Sequence, residues 1–98
     1  MAIKKNKTKT AKNLASALGL DPAQAIEWEL RYDLTNKIVE TVKKQKLTVT
    51  QVAKSAKTSR ARITKILKGD SLGISMDVLV RVLASLGQTI KLSFKKAA

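Results

Sequence analysis

Hydrophobic residues recur at helical spacing through the middle of the chain. A helix start stands at 21–24, where an Asp accepts from free backbone N–H groups, a Pro suits the first helical position and a Gln completes a capping box. An apolar residue then follows at every fourth position: Ile26, Leu30, Leu34, Ile38 and Val42. This spacing predicts one long helix from Pro22 to about Gln45, with a single stripe facing a core.

Two shorter helices are predicted next. Thr48 caps the first of them, with Gln51 three residues later, and Ser59 caps the second, which runs to Lys68. The break between the two helices lies at 57–58. The first of the pair has an apolar face at helical spacing, formed by Val49, Val52, Ala53 and Ala56.

A fourth helix is predicted after a loop at 70–74. Ser75 caps this helix, Asp77 suits the positive end of its dipole, and Gly87 ends it. Its inward face is predicted to consist of Met76, Leu79, Val80, Leu83 and Leu86.

The chain closes on an alternating pattern that predicts a strand over 89–95. Ile90, Leu92 and Phe94 alternate with polar residues. A lone strand is not stable, so this one frays, pairs with its twin from a second copy, or pairs within a larger complex. Because twin pairing buries the three apolar side chains, we expect a homodimer that uses this strand and the fourth helix.

The length of 98 residues suits one small domain held by packing alone. Residues 1–13 contain Lys, Thr and Asn with almost no apolar residue, which predicts a flexible basic N-terminal arm. One further helical turn is predicted at 14–18. We therefore expect a single domain over 14–98, an all-α bundle of four to five helices with one C-terminal strand.

The sequence contains no Cys and no His. This composition excludes a disulfide framework, a thiolate zinc site and the usual imidazole base. We therefore expect a protein that is not an enzyme, with no catalytic residue, no cofactor and no metal. A small nuclease is the enzyme alternative, but no residue pattern supplies its base or metal site.

The charge balance points to a polyanionic partner. Twenty Lys and Arg stand against seven Asp and Glu, and residues 41–69 carry nine cations and no anion. The chain has only three aromatic residues with which to stack unpaired bases, so double-stranded DNA fits better than single strands. No apolar run approaches the about 20 residues that span a bilayer. We expect no membrane contact and a cytoplasmic location, with the nucleoid reached through DNA.

The sign of the charge reverses between residues 21 and 42. Five acids stand there against two cations. This acidic segment is either a solvated helix face or a docking surface for a basic protein. Trp28 has the same two interpretations, because it either packs against the turn at 14–18 or anchors a partner.

The helix after Ser59 has two contrasting sides. At about 100° per residue, Ile63, Ile66 and Leu67 point to one side. A cationic helix face is often only solvated, but two capped helices free of acid favour DNA recognition, since Arg and Lys suit guanine O6 and N7. The opposite side and its flanks carry Arg60, Ala61, Arg62, Thr64, Lys65 and Lys68.

Residues 47–69 resemble the helix-turn-helix of Xre-type repressors, and residues 18–95 resemble the HigA-type antitoxins within that group. The resemblance rests on the long preceding helix, the capped second and third helices, and the later helix and strand in ISMDVLVRVLASLGQTIKLSF. It covers about four fifths of the chain. It implies a lambda-repressor-like fold, a dimeric repressor, and a cognate toxin as a further partner.

The resemblance also assigns roles to single residues. It places one set where base edges are read: Arg60, Ala61, Thr64 and Lys65. It places a second set near backbone phosphates: Ser59, Arg62 and Lys68. The chain departs from the pattern at Val49, where a phosphate-binding Gln is common, and there the contact is expected from Thr48, Thr50 or Lys57. Two further departures are Ser55, in place of a large apolar residue, and the Lys57-Thr58 turn, in place of Gly and an aliphatic residue.

The leading hypothesis is therefore a dimeric transcriptional repressor that reads a specific duplex sequence, and that acts as the antitoxin of a toxin-antitoxin pair regulating its own operon. One alternative is a solitary regulator of the phage or plasmid type. Another is an architectural protein that coats DNA without reading its sequence.

Overall fold

The computed structural model describes residue 19, residues 21–94 and residue 96. Within this part of the chain there are four helices: α1 (Pro22–Gln45), α2 (Val49–Ala56), α3 (Arg60–Leu67) and α4 (Met76–Ser85). The predicted arm at 1–13 and the predicted turn at 14–18, with its expected contact to Trp28, lie outside the described residues.

The predicted starts of the first three helices are confirmed. The Asp21 carboxylate accepts from the Gln24 N–H at 2.7 Å, and the Gln24 side chain returns to the Asp21 N–H at 3.0 Å. Thr48 and Gln51 form the same reciprocal box at 3.1 Å and 2.8 Å. The Ser59 hydroxyl accepts from the N–H of the third residue of α3 at 3.2 Å. Each bond satisfies a backbone donor that the helix itself leaves free.

The start of α4 differs from the prediction. Ser75 stands at the expected position, but its side chain makes no capping hydrogen bond. It hydrogen-bonds instead to the Asp77 carboxylate. This bond, followed by the backbone N–H of Asp77 and the charge of Arg81, lowers the pKa of Asp77 below its usual value. The acid in the first turn therefore has a local partner in addition to the helix dipole.

One core joins the four helices. Helices α3 and α4 each pack against both α1 and α2. The apolar side chains buried between them are Ile38, Val42, Val52, Ala53, Ala56, Ile63, Ile66, Ile74, Val78, Leu79, Val82, Leu83 and Leu86. The expected all-helical bundle is present in the described residues.

The predicted stripe along α1 is only half correct. Ile38 and Val42 are buried, whereas Ile26 and Leu30 are 58% and 43% exposed. Positions four residues apart drift by about 40° around a helix, so five of them cannot all face one core. Thr35 and Thr41 complete the buried face instead. Their hydroxyls each donate at 2.7 Å to the carbonyl four residues earlier, which satisfies them inside the core.

The predicted inward face of α4 contains one error. Val80 is 41% exposed, whereas Val78 and Val82 are buried. At about 100° per residue, the buried Val78, Leu79, Val82 and Leu83 lie within an arc of about 140°, whereas Val80 points about 130° away from the middle of that arc.

The predicted C-terminal strand is not formed within the described residues. Residues 88–94 belong to neither a helix nor a strand. Ile90, Leu92 and Phe94 are 42%, 64% and 90% exposed. A strand requires a neighbouring strand for its backbone hydrogen bonds, and the described part of a single chain supplies none.

Candidate nucleic-acid interface

Helix α3 is held in place by its apolar side. Ile63 and Ile66 are 0% exposed, and Leu67 packs half-buried against the same core. Because neighbouring residues on a helix are separated by about 100°, fixing these side chains fixes the direction of every other side chain on α3.

The remaining surface of α3 is cationic and free of acid. Thr64 is half-buried at the edge of the core, and the other predicted reading and flanking residues are exposed: Arg60, Ala61, Arg62, Lys65 and Lys68. Five of the six predicted residues are therefore exposed, and Ala61 and Lys65 point most directly away from Ile63. Ser59 and Thr48 lie exposed at the starts of α3 and α2, and Thr50 is exposed in the first turn of α2.

The cations of this surface have few contacts within the protein. Arg62 Nη1 lies 3.5 Å from Thr58 Oγ1, and Lys65 Nζ lies 3.5 Å from the Leu72 carbonyl oxygen. Both ion pairs among the described residues lie within α1. The positive charge of α2 and α3 is therefore not neutralised by carboxylates of the described region.

The two capping hydroxyls retain a free proton. Thr48 and Ser59 each use an oxygen lone pair to accept from a backbone N–H. A hydroxyl also has one donor, which stays available to an acceptor such as a phosphate oxygen. Val49 is half-buried against the core, so its side chain cannot replace the Gln that is common at this position.

The structure contains a groove that the sequence did not predict, next to the C-terminal end of α3. It lies between the first half of α1 and the loop at 69–72, with two adjoining cavities of about 390 and 330 Å³. Trp28, Arg31 and Leu72 line both cavities, and Leu72 is 71% exposed. Asn36 lines the second cavity, and its buried Nδ2 has no hydrogen-bond partner among the described residues. Trp28 and the acidic segment that contains Glu27 were the sequence signals for this site.

Arg31 joins the groove to the end of α3. Its guanidinium side chain is only 14% exposed, donates to the Ser71 carbonyl at 2.8 Å and also donates to the Ile74 carbonyl. Glu27 lies 3.5 Å away as its ion-pair partner. The buried Thr35 and Ser71 hydroxyls are hydrogen-bonded at 2.9 Å beside it. Arg31 therefore holds the loop that connects α3 to α4 and is not part of the cationic surface.

The described residues contain no group of acidic side chains that could hold a metal ion. None of their helices combines the length and the apolarity that a membrane crossing requires.

Comparison with protein families gives one match. A family model described as a helix-turn-helix domain matches residues 12–95, which include all four helices. Comparisons with curated proteins and with solved structures give no match.

Replacing Arg31 tests the contact between α1 and the loop. Arg31→Ala leaves two carbonyls in a partly buried site without their donor, and we expect the free energy of unfolding in urea to fall by about 2–3 kcal/mol. Lys37→Ala is the matched control, because Lys37 is half exposed in its pair with Glu40, and the expected change is below about 1 kcal/mol. Equal losses in both variants would contradict the role of Arg31.

Proposed function

The chain belongs to the helix-turn-helix domain family, and we propose that it is a transcriptional repressor that recognises a specific sequence of double-stranded DNA. Domains of this type bind DNA with the second helix of the motif in the major groove. One observation carries the proposal: Ile63 and Ile66 of α3 are fully buried, and the exposed cations of α3 have no carboxylate partner among the described residues.

In the proposed complex α3 enters the major groove. A helix with side chains is about 10–12 Å across, which suits a groove about 12 Å wide. The outward residues Arg60, Ala61, Thr64 and Lys65 then face the base edges. Arg60 is suited to guanine O6 and N7, and the methyl group of Ala61 to a thymine methyl.

The residues around α3 are proposed to hold the phosphate backbone. They comprise the free hydroxyls at the starts of the two helices and the flanking cations: Thr48, Thr50, Lys57, Ser59, Arg62 and Lys68. Such contacts set the register of a protein on DNA, whereas base contacts set the sequence that it selects. The proposed role is binding alone, with no catalysis, cofactor or metal ion.

The repressor is proposed to act as a homodimer. Ile90, Leu92 and Phe94 are exposed in a segment that lacks a strand partner, and Val80 is exposed on α4. Pairing of two such segments across a two-fold axis would supply the missing backbone hydrogen bonds and bury the apolar side chains. A two-fold dimer would also present two copies of α3 to half-sites about 34 Å apart.

The antitoxin role is proposed from the groove beside Trp28. Apolar side chains are exposed along this part of α1, and Glu27, Glu29 and Asp33 stand among them. This combination suits a basic protein partner, which is the kind of partner that the resemblance to antitoxins implies. A solitary regulator is the alternative, in which the groove has no protein partner.

Arg60→Ala separates a repressor from an architectural protein. Operator fragments are first selected from genomic DNA of the source, and affinities are then measured at fixed salt on operator and random duplexes. We expect a loss of about 1–3 kcal/mol on the operator and relaxed selection at one base pair. Lys68→Ala is the control, with similar losses on both duplexes. Equal losses for Arg60→Ala on the two duplexes would favour the architectural alternative.

Leu92→Pro tests the proposed strand pairing. Proline removes a backbone donor from the segment and disfavours a paired strand. We expect the mass in sedimentation equilibrium to move from dimer toward monomer. Ser93→Ala changes the neighbouring residue but keeps its backbone donor, and it should leave the mass unchanged. An unchanged dimer in the Pro variant would mean that another surface, such as α4, holds it.

Co-expression tests the antitoxin role. We expect a small reading frame for a basic, toxic protein beside this gene, and we expect its product to bind the chain with submicromolar affinity. Trp28→Ala should weaken that binding at least tenfold while leaving affinity for DNA unchanged. The absence of such a neighbouring frame would favour the solitary regulator.

A further inference from the structure

All four described helices end in the same backbone motif. In a Schellman motif, two N–H groups past the helix return to carbonyls of its last turn, and the first of the two residues is left-handed. The closing bond from the second residue is 3.1 Å at α1, 3.0 Å at α2, 3.0 Å at α3 and 3.3 Å at α4. The left-handed residues are Lys46, Lys57, Gly69 and Gly87.

Two of these four positions are therefore not glycine. Lys46 and Lys57 both have φ 54°, and they are the only residues other than glycine with positive φ among the described residues. The left-handed conformation brings a Cβ atom close to the backbone, a contact that glycine avoids. Helices α3 and α4 show the usual solution, so the ends of α1 and α2 are less stable than they would be with glycine.

The fold gives no reason for lysine at these two positions. Both residues are exposed, and neither ammonium group has a partner among the described residues. A cation does stabilise the negative end of a helix dipole. However, α1 and α2 already have Lys43, Lys44 and Lys54 in their last turns, whereas α4 has no basic residue there and still ends with Gly87.

The positions of the two lysines in the motif are equivalent. Lys46 precedes Thr48, the capping residue of α2, by two residues, and Lys57 precedes Ser59, the capping residue of α3, by two residues. In a helix-turn-helix, the first helix crosses the phosphate backbone and the start of the second meets the base edges. The two lysines thus stand at the two helix starts that lie nearest to DNA in this geometry.

We propose that Lys46 and Lys57 are a pair of phosphate-binding residues, present in a strained backbone position because DNA binding requires their charge. The inference rests on the proposed function and extends it. Lys57 is among the phosphate contacts expected from the sequence, whereas Lys46 is a new one. Strain of this kind is often found at binding sites, where function outweighs local stability.

Replacing either lysine by glycine should raise the stability of the fold and weaken the binding of DNA. Lys46→Gly and Lys57→Gly remove the left-handed strain, so we expect the melting temperature in circular dichroism to rise by about 4–8 °C for each. Each also removes one phosphate contact. We expect the slope of log affinity against log salt concentration to fall by about 0.9, with about eightfold weaker binding of duplex DNA at 0.1 M salt.

Two control variants separate strain from charge. Lys37→Ala removes the same charge from the outer side of α1, and its affinity for DNA should stay within about twofold of the unmodified chain. Gly87→Lys places a lysine in the equivalent left-handed position of α4. It should lower the melting temperature by about 4–8 °C and leave the salt slope unchanged.

The affinities are measured by fluorescence anisotropy on a labelled duplex at several salt concentrations, at a temperature where circular dichroism shows every variant folded. Lower salt slopes in both glycine variants, with melting temperatures that are not reduced, would support the proposal. Slopes equal to that of Lys37→Ala would overturn it. If the unmodified chain did not bind duplex DNA, that result would instead contradict the proposed function itself.

Discussion

The burial of Ile63 and Ile66 sets the rotation of α3 about its own axis, and the candidate interface depends on that rotation. Both side chains are fully buried between α1, α2 and the rest of the core. Turning α3 by one residue in either direction would move Arg62 or Thr64 into the place of Ile63. A buried guanidinium without a partner is strongly unfavourable, and a buried hydroxyl without one also destabilises the fold. The apolar pair therefore fixes which side chains face outward, although neither residue belongs to the proposed contact surface.

Positive and negative charges lie on different parts of the molecule. All charged residues of α2 and α3 are cations. The charged side chains of these two helices make few contacts within the protein. The first half of α1 carries acids, and its one partly buried cation, Arg31, is used to bind carbonyl groups of the loop after α3. Arg31, on the acidic first half of α1, thus helps to position the cationic helix α3, because it donates to backbone carbonyls of the loop that follows α3. This arrangement lets one small core serve two surfaces of opposite charge, one proposed to bind DNA and one proposed to bind a basic protein.

Apart from the predicted cap of Ser75, the predictions that failed share a physical cause. The starts of α1, α2 and α3 depend on side chains that bond to backbone within three residues, so Asp21, Thr48 and Ser59 could be identified from local sequence. The buried side of a long helix depends on neighbours that are distant in sequence. Ile26 and Leu30 match a helical repeat but turn away from the buried face of α1 that contains Ile38. Val80 is as hydrophobic as Val82, and only the position of α4 against α1 and α2 distinguishes them.

The sequence by itself determined the helical class of the domain, the bounds of the two helices of the motif, and the residues that α3 turns outward, because these follow from capping chemistry and from a rotation of about 100° per residue. Only the tertiary structure decided which half of α1 is buried, that Arg31 binds the loop at 71–74, and that a groove opens beside Trp28, since each of these requires contacts between residues far apart in the chain. The left-handed backbone of Lys46 and Lys57 belongs to the second group as well. Lysine has no preference for that conformation, so the strain is visible only once the ends of α1 and α2 are in place.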